Sequence, residues 1–140
     1  MSFNEKIHWA AFVGIAVAFG WYFLAYPWSI VGTPAGIGAV AGMLVVVTII
    51  IIGAMSVVAA TLAILYPKEA HLKADERERG IHQRGTHAAY YPLVLGNYAV
   101  LIAVFNHVEG AALLNLLLAV TVSAELVRVG WQLWIYRRES

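Results

Sequence analysis

Four polar side chains recur at intervals of four, three and four residues along an otherwise apolar stretch near the carboxyl end: Thr121, Glu125, Arg128 and Gln132. Residues at these spacings share one face of an α-helix. We call this set the polar stripe. Its carboxylate and guanidinium can neutralise one another, or the carboxylate can relay a proton or a cation. Asn97, in the preceding apolar stretch, is a predicted cross-helix partner.

A second constellation lies in the charged stretch between residues 67 and 87, where four side chains again fall on one helix face: His71, Asp75, Glu78 and His82. Imidazoles and carboxylates are ligands of zinc and other divalent ions. A straight helix spreads this set over more than two turns, so that one ion could bind adjacent members only. We therefore expect a solvated face with ion pairs, and we predict neither a metal site nor a cofactor.

The composition indicates what kind of structural elements carry these polar groups. Of the 140 residues, 61% are hydrophobic and 12% are charged, whereas soluble domains carry about 25% charged residues. We therefore expect a membrane protein whose apolar surface faces the lipid bilayer. We predict a single membrane domain, residues 1–140. The absence of cysteine excludes disulfides, thiolate nucleophiles and iron–sulfur clusters. No basic patch is interleaved with aromatic residues, so we predict no nucleic-acid partner.

Four apolar runs are long enough for transmembrane helices, which need roughly 20 apolar residues. They cover residues 7–31, 35–66, 88–108 and 111–136. The fold predicted from them is all-α, an integral membrane four-helix bundle with a long loop, residues 67–87, between the second and third spans. Pro34 and Pro67 fit the two boundaries of the second run. We expect the charged loop to extend the second span as a helix, with Gly80 and Gly85 as weak points.

The positive charges predict the orientation. Five of the nine Lys and Arg residues lie between Lys68 and Arg84, and Lys6, Arg137 and Arg138 flank the termini. All these segments fall on one side of a four-span path, and Lys and Arg favour the cytoplasmic side. Both termini and the loop at 67–87 are therefore predicted to be cytoplasmic.

Within this topology the polar stripe has three interpretations. Glu125 and Arg128 could lock helices together or fix an oligomer. Alternatively, the fourth span could end near Arg128, so that residues 130–136 would lie along the membrane surface as an aromatic belt. In the third interpretation Glu125 is a relay, but relays usually need several titratable groups, and the predicted spans contain one carboxylate.

Small residues spaced four apart predict where helices could approach each other closely. Gly14 lies in such a ridge on the first span, and Gly38 and Gly42 form one on the second. These ridges could serve packing within one chain or a contact between two copies. We predict a homo-oligomer in addition to the contact with the lipid bilayer.

Two segments resemble a group of small uncharacterised bacterial four-span membrane proteins with a D-E-R-[DE]-R loop. The first is Asp75-Glu76-Arg77-Glu78-Arg79, followed by Ile81, Arg84 and Ala89-Tyr90-Tyr91, and the second is Ala124-Glu125-Leu126-Val127-Arg128 with Tyr136-Arg137-Arg138. The resemblance implies the four-span layout and a bacterial inner membrane. It implies no activity. It marks as positions to test Asp75, Glu76, Arg77, Arg84, Glu125 and Arg128.

These features favour a non-enzymatic multi-pass membrane protein with a structural, scaffolding or regulatory role. Its loop at 67–87 is the predicted surface for a cytoplasmic protein partner. The alternative is a small transporter or channel component with a polar pathway near Glu125. A lipid-modifying membrane enzyme comes third, because no Ser/His/Asp arrangement, paired membrane carboxylates or phosphate loop is visible.

Overall fold

Apolar runs that exclude water favour helices, because a helix satisfies its backbone hydrogen bonds internally. The computed structural model, which describes residues 3–70 and 76–138, places the runs in four long helices: α1 (Phe3–Ala25), α2 (Pro34–Leu65), α4 (Glu76–Phe105) and α5 (Gly110–Arg138). One turn, α3 (Pro67–Ala70), follows α2. The described residues contain no strand. The long helices have the length and hydropathy to cross a membrane, which confirms the predicted all-α, multi-pass architecture.

The helix ends follow local chemistry. α1 ends at Ala25, earlier than predicted, because a residue before proline avoids the helical conformation and Pro27 follows closely. A short 3-10 turn, Trp28–Ile30, leads to Pro34, which opens α2 with its ring already at a helical φ. After α4, His107 adopts a φ of 59° and Gly110 a φ of 62°, and these left-handed residues turn the chain into α5.

The charged segment joins the third span rather than the second. Tyr66 leaves the helical conformation at the end of α2, with φ −129° and ψ 57°, while residues 76–87 form the first turns of α4. The prediction that this segment extends the second span was therefore wrong for the part described. The physical reason lies in Pro67, whose ring disfavours a helical conformation at the preceding residue.

Helix α5 is the centre of the arrangement. Its neighbours are α4 on one side and α1 and α2 on another, and α4 packs almost entirely against α5. A buried cluster towards one end of the bundle consists of Tyr22, Tyr26, Val40, Val47 and Ala111. Much of the other apolar surface of α2, for example Ile49 and Ile64, is exposed, as expected where lipid is the solvent.

The opposite end of the bundle carries the positive charges, and we call it the basic end. Lys6 places its ammonium 3.4 Å from the ring centre of Tyr66, which brings the start of α1 to the end of α2. Arg137 lies over the ring of Trp9 at 5.1 Å, which adds the end of α5. Such cation–π contacts help to hold charged groups beside apolar helices. The two terminal segments thus bring Lys6 and Arg137 to the same end of the fold.

Three glycines other than the predicted ones make close contacts, Gly36 with the turn before α2 and Gly85 and Gly96 between α4 and α5. A Cβ on Gly36 would lie 2.5 Å from the carbonyl oxygen of Ile30, and one on Gly96 would lie 2.3 Å from Val120. A Cβ on Gly85 would lie 2.4 Å from Gln132, so that Gly85 is a packing point and not a weak point. By contrast, the predicted packing residues Gly14, Gly38 and Gly42 have no such neighbour within 4 Å. These three glycines are therefore open within the chain, and their role in helix packing, within one chain or between two copies, stays a prediction.

Candidate functional site

Within the polar stripe, Glu125 and Arg128 form an ion pair with each other. Arg128 donates from both Nε and Nη2 to Oε2 of Glu125, at 3.0 and 2.6 Å. The three-residue spacing along α5 allows this because it places the two side chains on one helix face. The side chains are 32% and 43% exposed in the single chain. The prediction that the two charges neutralise one another is confirmed.

Contacts between α4 and α5 give the level of this pair along the bundle. Val120 meets Gly96, and Gln132 meets Gly85, so Glu125 lies at the level of the intervening part of α4. That part contains the start of the apolar sequence after His87. The pair therefore lies towards the basic end, near the boundary between the apolar and charged parts of α4. A charged pair costs less there than at the bilayer centre.

Gln132 belongs to the same stripe but has a different environment. It is fully buried, packs on Gly85, and its Nε2 lies 3.3 Å from Nδ1 of His82. Its Oε1 is buried without a hydrogen-bond partner in the described part of the chain. Leu133, Ile135 and Tyr136 are also buried in the continuous helix α5. Residues 130–136 therefore continue α5 with one face packed against the protein, while Trp131 and Trp134 are exposed. The aromatic belt at the membrane surface stays a prediction.

Thr121 and Asn97, the other two residues predicted in this region, both have exposed side chains. Thr121 is exposed and donates to the carbonyl oxygen of Leu117 in its own helix, at 3.0 Å. Asn97 is exposed on α4, because the contact with α5 runs through its neighbour Gly96. The prediction of Asn97 as a cross-helix partner was wrong.

An asparagine that the sequence analysis missed, Asn115, does form a bond between helices. Tyr22 on α1 donates to Oδ1 of Asn115 at 2.8 Å, and Nδ2 of Asn115 donates to the carbonyl oxygen of Ala111 at 2.9 Å. Both Tyr22 and Asn115 are buried. A signal was available in the sequence, since an amide inside an apolar run such as 111–120 is costly without a partner. This bond joins α1 to α5 at the end remote from the basic end.

Replacing Tyr22 with phenylalanine is expected to destabilise the protein, because Oδ1 of Asn115 loses its buried donor. Bonds of this kind between membrane helices average about 0.6 kcal/mol and reach about 1.7 kcal/mol. The measurement is thermal unfolding in detergent. The double change Tyr22→Phe with Asn115→Leu should cost less than the sum of the single changes. Strict additivity would contradict a direct bond.

A polar cluster at the basic end joins three helices. Asn4 on α1 donates to Oε2 of Glu78 on α4 at 2.7 Å. Nδ1 of His8 lies 2.6 Å from the carbonyl oxygen of Asn4, and the rings of His8 and Tyr136 are 5.7 Å apart. A cavity of about 400 Å³ opens among these side chains and His82. Convergent polar groups around such a cavity make it a candidate binding site.

The predicted candidate metal ligands divide between described and undescribed residues. His71 and Asp75 lie outside the described residues. Glu78 is bonded to Asn4, and His82 lies beside Gln132. Across residues 3–70 and 76–138, no group of three or more His, Asp or Glu side chains is placed to hold a metal ion.

The remaining positions predicted in the charged segment lie on the first turns of α4. Glu76, Arg77, Arg79 and Arg84 are exposed there, while Glu78 is half-buried against α1. They form a charged surface at the basic end, beside the termini of α1 and α5.

Comparisons with models of protein families, with curated proteins and with solved structures find no match to this chain.

Proposed function

We propose that this chain is a non-enzymatic multi-pass membrane protein with a structural, scaffolding or regulatory role, and that it self-associates. The observation that carries the proposal is the ion pair of Glu125 and Arg128, in which the carboxylate accepts two hydrogen bonds from its own helix. A relay group must exchange its partner during each cycle, whereas a closed pair favours a fixed role in the bundle. The bonds of Tyr22 with Asn115 and of Asn4 with Glu78 support the same interpretation, because each ties helices together.

The proposed setting is a bacterial inner membrane with the basic end in the cytoplasm. Lys6, Arg137 and the charged turns of α4 meet at this end, and positive charge favours the cytoplasmic side. The exposed side chains of Arg79 and Arg84 belong to the surface that we propose for a cytoplasmic protein partner. The bacterial origin rests on the resemblance to the small four-span group.

Self-association is proposed through the open glycines of α2. Gly38 and Gly42 lie four residues apart and have no atom from another part of the chain within 4 Å of a Cβ position. In lipid, close approach of backbones at small residues drives helix association. These glycines are therefore available for a second copy in a way that Gly36, which packs within the chain, is not.

Replacing Gly38 and Gly42 together with leucine is expected to convert the oligomer to a monomer while the melting temperature of the fold is kept. The reason is that the Cβ positions have no neighbour within 4 Å in the chain, whereas two leucine side chains would hold a second backbone away. Light scattering after size exclusion in mild detergent measures the change. The matched control is Gly20→Leu, another open glycine, which should leave the mass unchanged. A wild-type monomer, or an oligomer that survives the double change, contradicts this interface.

One observation favours the second candidate, a transporter or channel component. Glu125 is 43% exposed in the single chain although it lies within a membrane-length helix. In an oligomer that surface could line a polar pathway. The two candidates differ in what the loss of the carboxylate would do, since a pathway loses flux and a scaffold loses stability.

A further inference from the structure

Two cavities along α4 share lining residues. The first, about 400 Å³, lies among α1, α4 and the end of α5, and includes Asn4 and Tyr136. The second, about 600 Å³, runs along α4 as far as Tyr90. Both are lined by His82 and Gln83. We therefore treat the two cavities as one site, the α4 groove, and the volume of each lies in the range of small-molecule sites, about 300–1,000 Å³.

The chemistry of the α4 groove changes along its length. At the basic end the lining side chains include His8, Glu78 and Arg79. At the other end the groove opens beside Tyr90, whose side chain is 59% exposed. On the same face of α4, three residues further on, Leu93 is also exposed. A ligand that fits both ends therefore has a polar head and an apolar tail.

The charges and hydrogen-bonding groups at the basic end specify the head. Glu78 and Arg79 offer one negative and one positive charge. Nδ1 of His8 contacts the carbonyl oxygen of Asn4, which can only accept, so Nδ1 carries the proton and Nε2 of the neutral ring is an acceptor. Because the amide of Gln132 contacts Nδ1 of His82, the Nε2 atom of His82 is the ring nitrogen that is left for a ligand. The matching head carries an N–H cation and an anionic oxygen.

We propose that the α4 groove binds a phospholipid whose headgroup carries a primary ammonium and a phosphate, the chemistry of phosphatidylethanolamine. The ammonium donates to Glu78 and to Nε2 of His8, and the phosphate accepts from Arg79 and His82. The acyl chains follow α4 past Tyr90 into the bilayer. A choline head lacks the N–H donors, and an anionic head without the ammonium leaves Glu78 facing phosphate. The site does not depend on the proposed self-association.

The test is native mass spectrometry of delipidated protein titrated with phosphatidylethanolamine, phosphatidylcholine and phosphatidylglycerol of identical acyl chains. We expect the ethanolamine lipid to bind about tenfold more tightly than the other two, which is the effect of a charge-assisted hydrogen bond. Glu78→Gln should abolish this preference, while its amide oxygen can still accept from Asn4. Glu109→Gln, a change at the opposite end of the bundle, is the matched control and should keep the preference.

Arg79→Gln provides a second variant, because this exposed side chain has no part in the core. It should weaken the binding of the ethanolamine lipid several-fold, even if Glu78→Gln fails to fold. Equal affinity for the three lipids would overturn the proposal in favour of unselective lipid contact. A preference that survives both changes at Glu78 and Arg79 would also overturn it. Displacement by water-soluble glycerophosphoethanolamine at the same concentration as the lipid would show that the head alone is the ligand, contrary to a lipid site.

Discussion

Replacing Gly96 with alanine is expected to force α4 away from α5. The added Cβ would lie 2.3 Å from Cγ1 of Val120, a β-branched side chain with little freedom to move. Overpacking of this kind costs about 1–3 kcal/mol. The effect should extend along α4, because this helix packs almost entirely against α5. Thermal unfolding in detergent measures the loss, and protease sensitivity of residues 76–87 reports whether α4 has separated.

A compensating change sharpens this test. Val120→Ala removes the methyl groups that the new Cβ would meet, so the double variant should recover most of the stability lost by Gly96→Ala. Gly20→Ala is the matched control, since Gly20 is open and alanine favours a helix by about 1 kcal/mol over glycine. We expect this control to be as stable as the wild type or more stable. A stable Gly96→Ala protein, or a double variant weaker than both single variants, would contradict the contact.

Removing the carboxylate of Glu125 should have the second large effect. Glu125→Gln leaves Arg128 without its charged partner, and an unpaired arginine within a membrane helix costs about 2.5–3.5 kcal/mol near the centre and less towards the edge. Because both side chains are partly exposed, we expect a loss of about 1–2 kcal/mol. Arg128→Gln should cost a similar amount. The double change should be milder than the sum, since it removes both charges.

The same variants separate the two candidate functions. A scaffold should show the stability loss of Glu125→Gln, the partial recovery in the double variant, and no ion flux in proteoliposomes with or without the carboxylate. A pathway at Glu125 should show flux in the wild type that the single change abolishes while the helices remain folded. Wild-type flux of this kind would reject the scaffold proposal. Thr121→Val is a useful control, because Thr121 is exposed and bonded within its own helix.

Local spacing predicted the features that depend on one helix alone. The apolar runs identified the four long helices, because membrane length imposes a minimum number of apolar residues. The interval between Glu125 and Arg128 predicted their ion pair, because residues three apart on a helix are neighbours whatever surrounds them. Proline identified the start of α2 for the same local reason.

The sequence pattern did not predict which faces of the helices contact each other. Gly38 and Gly96 are equally small, yet Gly96 meets another helix and Gly38 does not. Asn97 and Asn115 both interrupt apolar runs, and only Asn115 is buried against α1. In water a polar face marks the outside of a helix, but lipid is as apolar as the protein interior and removes that contrast.

The sequence by itself therefore determined the number of spans, their approximate limits and the ion pair of Glu125 with Arg128. Only the tertiary structure decided that the charged turns begin α4 and that Gln132 packs against Gly85. It also decided that Asn4 on α1 donates a hydrogen bond to Glu78 on α4 at the basic end. The physical reason is that spacing along one helix is fixed by its geometry. Which faces meet is fixed by the fit of side chains on several helices at once.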